Sequence, residues 1–396
     1  YIITMLRSLR YINNSTSSFK KCTSKVFYST SIDPYTDKVN KARFDCIDQL
    51  QKADPSSLFI SKLYPEYLRD AFIAFKSFNL ELSKISFGFQ PGATAKSKEF
   101  NNLKFHFWLQ QLDKCNNLSL SNASQIILDI NEPCTILLSD IILKDLKFNI
   151  EMLKQMVHSH QHFYNNNSSN GFNNLDEICS FGEGTQSQIN YLLQSILLSP
   201  QLKGFSDIGI ELLELPHSNS NNLRNNLTDI SAHLGQATSI GSFLIGLKYF
   251  AERKQSLMLP IDCLTKYRLS EENCLRYLQG GYQDTSDIEE IKEKINNVVF
   301  DVATLANDHI ISARSKLETA KSDIIQIAND NNRKDLLNCK KSFPECFFLP
   351  YMSGIPTIMY LERLEKHNFD VLHPGLQQKE WRLAFRTWNA DRTRSF

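Results

Sequence analysis

The strongest constraint on the fold is a set of apolar residues that recur every three to four positions from Ile288 to Ile327. This period matches one face of an α-helix, because 3.6 residues make one turn. The run starts beside Ser286 and Glu289, which have the spacing of a capping box that satisfies the first backbone N–H groups of a helix. The sequence therefore predicts one very long helix in this region.

Three shorter stretches repeat the same helical spacing. They run from Leu68 to Ile85, from Ile189 to Leu197 and from Ile230 to Leu247. Sustained alternation of apolar and polar residues, which is typical of strands, is absent from the sequence. We therefore expect an all-α protein, a single large helical bundle that covers residues 38–390.

Two stretches rich in Asn and Ser interrupt the helical patterns, at residues 165–174 and 217–226. Segments of this composition bury too little apolar surface to offset the entropy lost on ordering. We expect both to be solvated loops.

The N-terminal segment has the composition of a mitochondrial targeting sequence. It contains five Lys and Arg residues and many Ser and Thr after Met5, which we take as the start, and it has no acidic residue before Asp33. Such segments exclude acids because positive charge drives them across an energised membrane. We interpret residues 1–31 as a transit peptide; the alternative is a disordered basic tail.

Charge and cysteine usage exclude several classes of protein. The formal net charge of +1 provides no basic field for nucleic acid. The longest apolar candidate, Ser239–Phe250, is too short to span a bilayer and contains Lys248. Nine cysteines occur without a Cys-x-x-Cys pair, which favours buried free thiols over disulfides or a zinc site.

Two short motifs invite a chemical interpretation. In "HSHQH" only His158 and His162 have the i,i+4 spacing of helical metal ligands, so we favour a solvated helix end that includes His160. In "SFGEGTQ" the glycines Gly182 and Gly184 are too few for a phosphate-binding loop, so we expect them to allow close helix packing.

Two sequence blocks, "LYPEYLRDAFIAFKSFNLELSKI" and "HLGQATSIGSFLIGLKYF…LMLPIDCL", resemble the squalene/phytoene synthase superfamily in order and spacing. The resemblance extends from about Asp45 to Arg333 and implies a helical bundle of the isoprenoid synthase type. Enzymes of that superfamily carry an Asp-rich motif on each of two facing helices, and the paired carboxylates hold Mg²⁺ against a diphosphate.

This chain departs from the superfamily where the metal ligands belong. The first motif falls on Leu80, Glu81 and Lys84, and the second falls on Gly246 and Phe250. A lone carboxylate beside an ammonium group does not hold several divalent ions, so we expect no metal, no cofactor and no catalysis. Nearby Arg69 has two open roles, contact with an anion or an intramolecular salt bridge. The residues of this degenerate former site are Arg69, Leu80, Glu81, Lys84, Gly246 and Phe250.

The C-terminal stretch "FDVLHPGLQQKEWRLAFRTW" resembles the mitochondrial complex I assembly factor 6 family, a degenerate branch of the superfamily. The resemblance implies a non-catalytic factor of the mitochondrial matrix, peripheral to the inner membrane, that acts early on a membrane-arm core subunit. Expected partners are complex I subunits or other assembly factors, together with a lipid or isoprenoid in a retained apolar cavity. The candidate partner surface, which faces a partner or the membrane, consists of His373, Pro374, Trp381, Arg382, Phe385 and Trp388. The alternative is a C-terminal helix that packs these aromatic residues on the core.

The alternative function is a prenyl diphosphate transferase with altered metal use. Its metal site would have to be rebuilt from Glu81 and Arg69 together with acids outside the two motifs. Those acids are Asp262, Asp301 and Asp308.

Overall fold

The chain folds into α-helices joined by short connections, and the residues that the structure describes include no β-strand. The structure, a computed structural model, describes residues 33–88, 95–118, 127–166, 171–216, 218–281 and 285–396. In chain order, the helices are α1 (Pro34–Ala53), α2 (Pro55–Ser61), α3 (Glu66–Ser86), α4 (Ala95–Asn116), α5 (Pro133–Leu143), α6 (Ile150–Asn166), α7 (Leu175–Gly182), α8 (Gln188–Leu197), α9 (Asp207–Glu214), α10 (Ser218–Tyr249), α11 (Ile261–Lys266), α12 (Glu271–Leu278), α13 (Thr285–Asp330), α14 (Glu345–Phe348), α15 (Ile355–Lys366), α16 (Pro374–Gln377) and α17 (Leu383–Thr393). The all-α prediction is confirmed.

The predicted long helix is α13, which has 46 residues and a length of about 69 Å at 1.5 Å per residue. Its repeated apolar positions, such as Ile295, Val302 and Ile310, are buried. Helix α10 packs along it and buries its own stripe of apolar residues there. The predicted capping box lies outside the described side chains, because the structure does not describe that of Ser286.

The prediction of a solvated loop at residues 217–226 is wrong for residues 218–226, which form the first turns of α10. Leu223 within this polar stretch and Leu227 directly after it are four residues apart and fully buried. The Asn226 side chain donates a hydrogen bond to Asp323 of α13 over 2.9 Å. The polar composition therefore concealed an apolar face that docks on the long helix.

The other Asn-rich stretch, residues 165–174, joins two helices. Asn165 and Asn166 belong to the end of α6, and the Asn174 side chain caps α7 by accepting from the Glu177 backbone N–H over 2.9 Å. Residues 167–170 lie outside the described part of the chain. Asn at a helix start is a standard cap, so part of this stretch terminates helices.

The C-terminal ends of α3, α6 and α10 meet at one end of the bundle. Phe87, which follows α3, has its ring centroid 5.1 Å from that of Phe163 in α6. Its centroid is 5.6 Å from that of Phe250, which follows α10. Both blocks of the squalene/phytoene synthase resemblance therefore lead to the same region.

The chain terminus is fixed to the long helix. The Arg314 side chain of α13 donates to the backbone oxygen of Phe396 over 2.7 Å, and the Phe396 ring lies against Phe348 and Tyr351. In the described ranges we find no helix with the length and apolar character required to cross a bilayer. Residues 1–32 lie outside those ranges, so the transit peptide stays a prediction.

Candidate functional site

The first motif position contains an ion pair within one helix. Lys84 Nζ lies 2.6 Å from Glu81 Oε1 and also donates to Gln49 Oε1 of α1 over 3.0 Å. The pair is therefore turned toward α1, while Leu80 packs against the apolar core. The only carboxylate of the motif is already neutralised by an ammonium group.

The second motif position is shaped by a glycine. A Cβ atom placed on Gly246 would lie 2.8 Å from a ring carbon of Phe250, closer than carbon atoms normally approach. The glycine therefore lets the Phe250 ring fold back along α10. A π-helical turn, Phe250–Lys254, starts at this residue, and such turns often mark functional sites in helices.

Packed aromatic rings occupy the region between the two motif helices. The Phe87 centroid lies 5.6 Å from Phe243 and 5.8 Å from Phe181, both in edge-to-face or tilted arrangements. Such pairs contribute about 0.5–1.5 kcal/mol each beyond the burial of their area. We call this set the aromatic cluster; its members are Phe87, His160, Phe163, Phe172, Phe181, Phe243 and Phe250. These rings occupy the region in which the sequence predicts an apolar cavity for a lipid or isoprenoid, and that cavity stays a prediction.

The structure also corrects the interpretation of "HSHQH". His158 and His162 are exposed, but His160 is fully buried within the aromatic cluster. One ring nitrogen lies 2.7 Å from Ser86 Oγ and the other lies 3.1 Å from Asn79 Oδ1, so the imidazole connects α6 to α3. Burial lowers the pKa of His160 to about 3, which keeps the ring neutral.

Lys76 is a buried cation that the sequence analysis did not single out. It lies on α3 one turn before Leu80, and its Nζ is 3.4 Å from Gln186 Oε1. No carboxylate within the described residues forms an ion pair with it, and burial lowers its pKa.

The small residues near the site allow close packing, as predicted. A Cβ on Gly235 would lie 2.4 Å from Ser187 Cα, and one on Gly182 would lie 2.9 Å from Gln236 Cα. A Cβ on Gly184 would overlap Ser159 Oγ. The backbones of α7 and of the π-helical turn that follows it, Glu183–Ser187, therefore pack closely against α6 and α10.

A polar cavity of about 470 Å³ lies beside this contact. Glu183 in its wall accepts hydrogen bonds from Tyr191 Oη over 2.7 Å and from Gln236 Nε2 over 3.0 Å. Its lining is mainly amide, hydroxyl and carboxylate, formed by Gln155, Ser159, Cys179, Ser180, Glu183, Gly184, Gln188 and Gln236. A prenyl chain needs apolar walls, so this cavity does not match the expected ligand.

A cysteine and two histidines form a chain next to that cavity. Cys179 Sγ lies 3.4 Å from His309 Nε2, and His309 Nδ1 lies 2.9 Å from His233 Nδ1. Burial and the charge of Asp176 raise the pKa of Cys179 to about 11, so the thiol is protonated and unreactive. Within the described residues, no group of three or more His, Cys, Asp or Glu side chains is arranged to hold a metal ion.

Arg69 makes no salt bridge with any described carboxylate, and its two expected roles stay predictions. Its Nε donates to the Tyr64 backbone oxygen over 3.2 Å. Arg69 lies near a second cation, Lys62. Burial lowers the pKa of Lys62, and the positive charge of Arg69 lowers it further.

For the alternative function, Asp301 is paired with Lys266 at 2.6 Å and does not converge on Glu81.

The candidate partner surface divides into two parts. Trp381 and Phe385 are 83% and 64% exposed, and the Phe385 ring lies 5.9 Å from that of Trp388. Arg382 Nε pairs with Glu380 at 2.9 Å. In contrast, the His373 ring nitrogen accepts from the Gly375 backbone N–H at the start of α16, where Pro374 is the first residue. His373 and Pro374 thus shape a short helix, while the aromatic residues face outward.

Curated relatives align with most of this chain. It is 23% identical to a human protein named NADH dehydrogenase (ubiquinone) complex I, assembly factor 6, over 84% of this chain and 77% of that protein. The mouse protein of the same name is 22% identical over the same shares of the two chains. A Drosophila melanogaster homolog is 23% identical over 83% of this chain and 77% of that protein.

A solved dehydrosqualene synthase has a similar fold, with a TM-score of 0.54 and 9% identity over 90% of this chain and 97% of that one. The likeness confirms the isoprenoid synthase type of helical bundle. The squalene/phytoene synthase family model matches residues 50–388. The protein therefore belongs to the squalene/phytoene synthase family.

Proposed function

We propose that this protein is a non-catalytic assembly factor for mitochondrial respiratory complex I. It acts early on a membrane-arm core subunit, on the matrix side of the inner membrane and in peripheral contact with it. The names of its curated relatives support this role. The observation that carries the proposal is the aromatic cluster, which occupies the region between the two motif helices.

The chemistry of the family argues against catalysis at this site. A departing diphosphate carries several negative charges, and metal ions supply the opposing charge in the transition state. Here Glu81 is bound to Lys84, and the facing helix offers Gly246 and the ring of Phe250.

The absence of catalysis is tested with the purified chain, Mg²⁺ and farnesyl or geranylgeranyl diphosphate. We expect no release of diphosphate. Turnover that requires Mg²⁺ and is abolished by Glu81→Gln, but not by the control Glu252→Gln, would establish the alternative function instead. The double variant Leu80→Asp/Lys84→Asp should also fail to bind Mg²⁺ tightly in calorimetry, because α10 supplies no carboxylate opposite it.

The assembly role is tested by depletion. Without the protein, native gels should show less complete complex I, while the other respiratory complexes keep their amounts. A chain with Glu81→Gln should restore complex I as well as the wild-type chain does. Normal complex I after complete depletion contradicts the proposal.

The proposed contact with a complex I subunit or another assembly factor consists of Trp381, which precedes α17, and Phe385 of α17. Trp and Phe in an exposed patch are typical hot-spot residues of protein interfaces. The nearby Arg382 and Arg386 are paired with Glu380 and Glu362. Trp381→Ser/Phe385→Ser should lower complex I without unfolding the chain, whereas a matched change at two other exposed apolar residues, Phe44→Ser/Ile311→Ser, should not.

The proposed location follows from residues 1–31. The full chain should enter isolated mitochondria only when the inner membrane is energised, and a chain that starts at Asp33 should remain outside. Equal import of both chains contradicts the assignment of the targeting segment. In the organelle, salt washing should release the protein from the inner membrane, as expected of a peripheral protein.

A further inference from the structure

Helix α4 carries apolar residues on two opposite faces. Its inner face is buried in the core through Phe105, Trp108 and other apolar residues. Its outer face exposes Phe100 by 60%, Leu103 by 60% and Phe107 by 42%. These three residues have the i, i+3, i+7 spacing of a single stripe, about 10 Å long.

The charges around this stripe are cationic. Lys104 Nζ lies 4.8 Å above the Phe100 ring, and Lys114 lies on the same face, seven residues after Phe107. Neither lysine has a carboxylate partner among the described residues. The acids of α4 are at the margin of the face, where Asp113 is held by Lys154 at 3.0 Å. The other acid, Glu99, is also exposed at that margin.

The helix is held firmly enough to present this face as a rigid surface. Asn101 Nδ2 donates to Tyr164 Oη over 3.0 Å, and Asn102 Nδ2 donates to Asn165 Oδ1 over 3.1 Å. Lys98 Nζ donates to the backbone oxygen of Asn165 over 3.0 Å. These bonds tie the first half of α4 to the C-terminal end of α6, where the aromatic cluster lies.

We propose that the outer face of α4 is a lipid-binding surface that lies flat on a bilayer with anionic headgroups. Phe100, Leu103 and Phe107 enter the boundary between headgroups and acyl chains, and Lys104 and Lys114 contact lipid phosphates. A convex stripe of large apolar side chains flanked by unpaired lysines is the pattern of an interfacial helix. Near Trp381, in contrast, Arg382 and Arg386 are paired with Glu380 and Glu362.

The proposal specifies the membrane contact of the proposed function, but vesicle binding is measured without complex I, so either can fail alone. Full-length chains are floated with phosphatidylcholine vesicles that contain or lack phosphatidylglycerol. Phe100→Ser/Leu103→Ser/Phe107→Ser should reduce partitioning by about tenfold or more. The matched control Phe44→Ser/Ile311→Ser/Ile325→Ser removes the same number of exposed apolar side chains elsewhere and should bind as the wild-type chain does.

The lysines give a separate readout. Lys104→Gln/Lys114→Gln should weaken binding to anionic vesicles by roughly fivefold for each lysine and leave binding to neutral vesicles unchanged. All chains carry the same N-terminal segment, so its own attraction to anionic lipid is common to every comparison.

Insertion of the stripe into the bilayer is tested at one position. A tryptophan introduced by Leu103→Trp should be quenched by brominated lipids, and one introduced by Ile311→Trp should not. Equal flotation of the stripe variant and its matched control, or equal quenching of the two tryptophans, overturns the proposal. The proposal is also overturned if the stripe variant no longer binds a complex I subunit but binds vesicles as the wild-type chain does. The face would then be a protein interface.

Discussion

The neutral, buried imidazole of His160 makes the stability of this protein depend on pH in a predictable direction. The folded-state pKa is about 3, against 6.5 for an ordinary histidine. Below pH 6.5 His160 binds a proton in the unfolded chain but not in the folded chain, so the unfolded state gains stability as the pH falls. The free energy of unfolding should therefore decrease on acidification, and this contribution should be complete near the folded pKa.

The size of the effect follows from the two pKa values. Each pH unit below 6.5 costs about 1.4 kcal/mol, as long as the folded chain remains unprotonated at His160. Between about pH 7.5 and about pH 5 the loss is about 2 kcal/mol. The cost arises because an imidazolium would have to remain among the aromatic rings without an acidic partner.

The variant His160→Gln isolates this contribution. Glutamine can donate to and accept from Ser86 and Asn79, but it does not titrate. Urea unfolding of both chains at the two pH values should show a fall in the free energy of unfolding that is about 2 kcal/mol larger for the wild-type chain. His233 and His309 also have lowered pKa values, but they are present in both chains and cancel.

Equal pH dependence in the two chains would refute the reasoning. A direct check is the NMR signal of the His160 Cε1 proton, which should not shift between neutral pH and about pH 5. A midpoint near 6.5 would mean that water or an anion reaches the ring, and the aromatic cluster would then be open rather than packed.

Three further changes test the packing around the site. Phe243→Ala should lower the free energy of unfolding by about 3–5 kcal/mol in urea unfolding, while Phe44→Ala at an exposed position should change it by less than about 0.5 kcal/mol. Gly235→Ala should lower the free energy of unfolding by about 1–3 kcal/mol in the same assay. Its Cβ would lie 2.4 Å from Ser187 Cα and push α10 away from the π-helical turn Glu183–Ser187. Lys76→Met should raise the free energy of unfolding by about 1–3 kcal/mol near neutral pH, and the gain should fade as the pH approaches 10 and the unfolded lysine loses its proton.

Helix positions could be predicted from the sequence because each pattern is local. The repeat from Ile288 to Ile327 became α13, and Gly182 and Gly184 lie in close contacts between helices. The error at residues 218–226 arose because composition was given more weight than the spacing of two leucines. When local period and composition disagree within a long helical pattern, the period is the better predictor.

The side-chain contacts at the site could not be predicted in the same way. The two partners of His160 on α3 are 74 and 81 residues away in sequence, and Cys179 and His309 are 130 residues apart. No spacing rule connects positions at such separations. The helical period around His160, with Met156, Val157 and Phe163 on the same face, was the available signal that this histidine is buried.

The arrangement at the former metal site also explains why the changes there support one another. Two facing sets of carboxylates repel each other unless metal ions are bound, so a metal site of this kind costs stability when empty. Here an ion pair replaces one set, and a glycine with a folded-back ring replaces the other. A carboxylate placed at Phe250 alone would lie beside the Phe87 and Phe243 rings, which offer it no strong hydrogen-bond donor. We therefore expect this single step back toward metal binding to lower stability before any ion can bind.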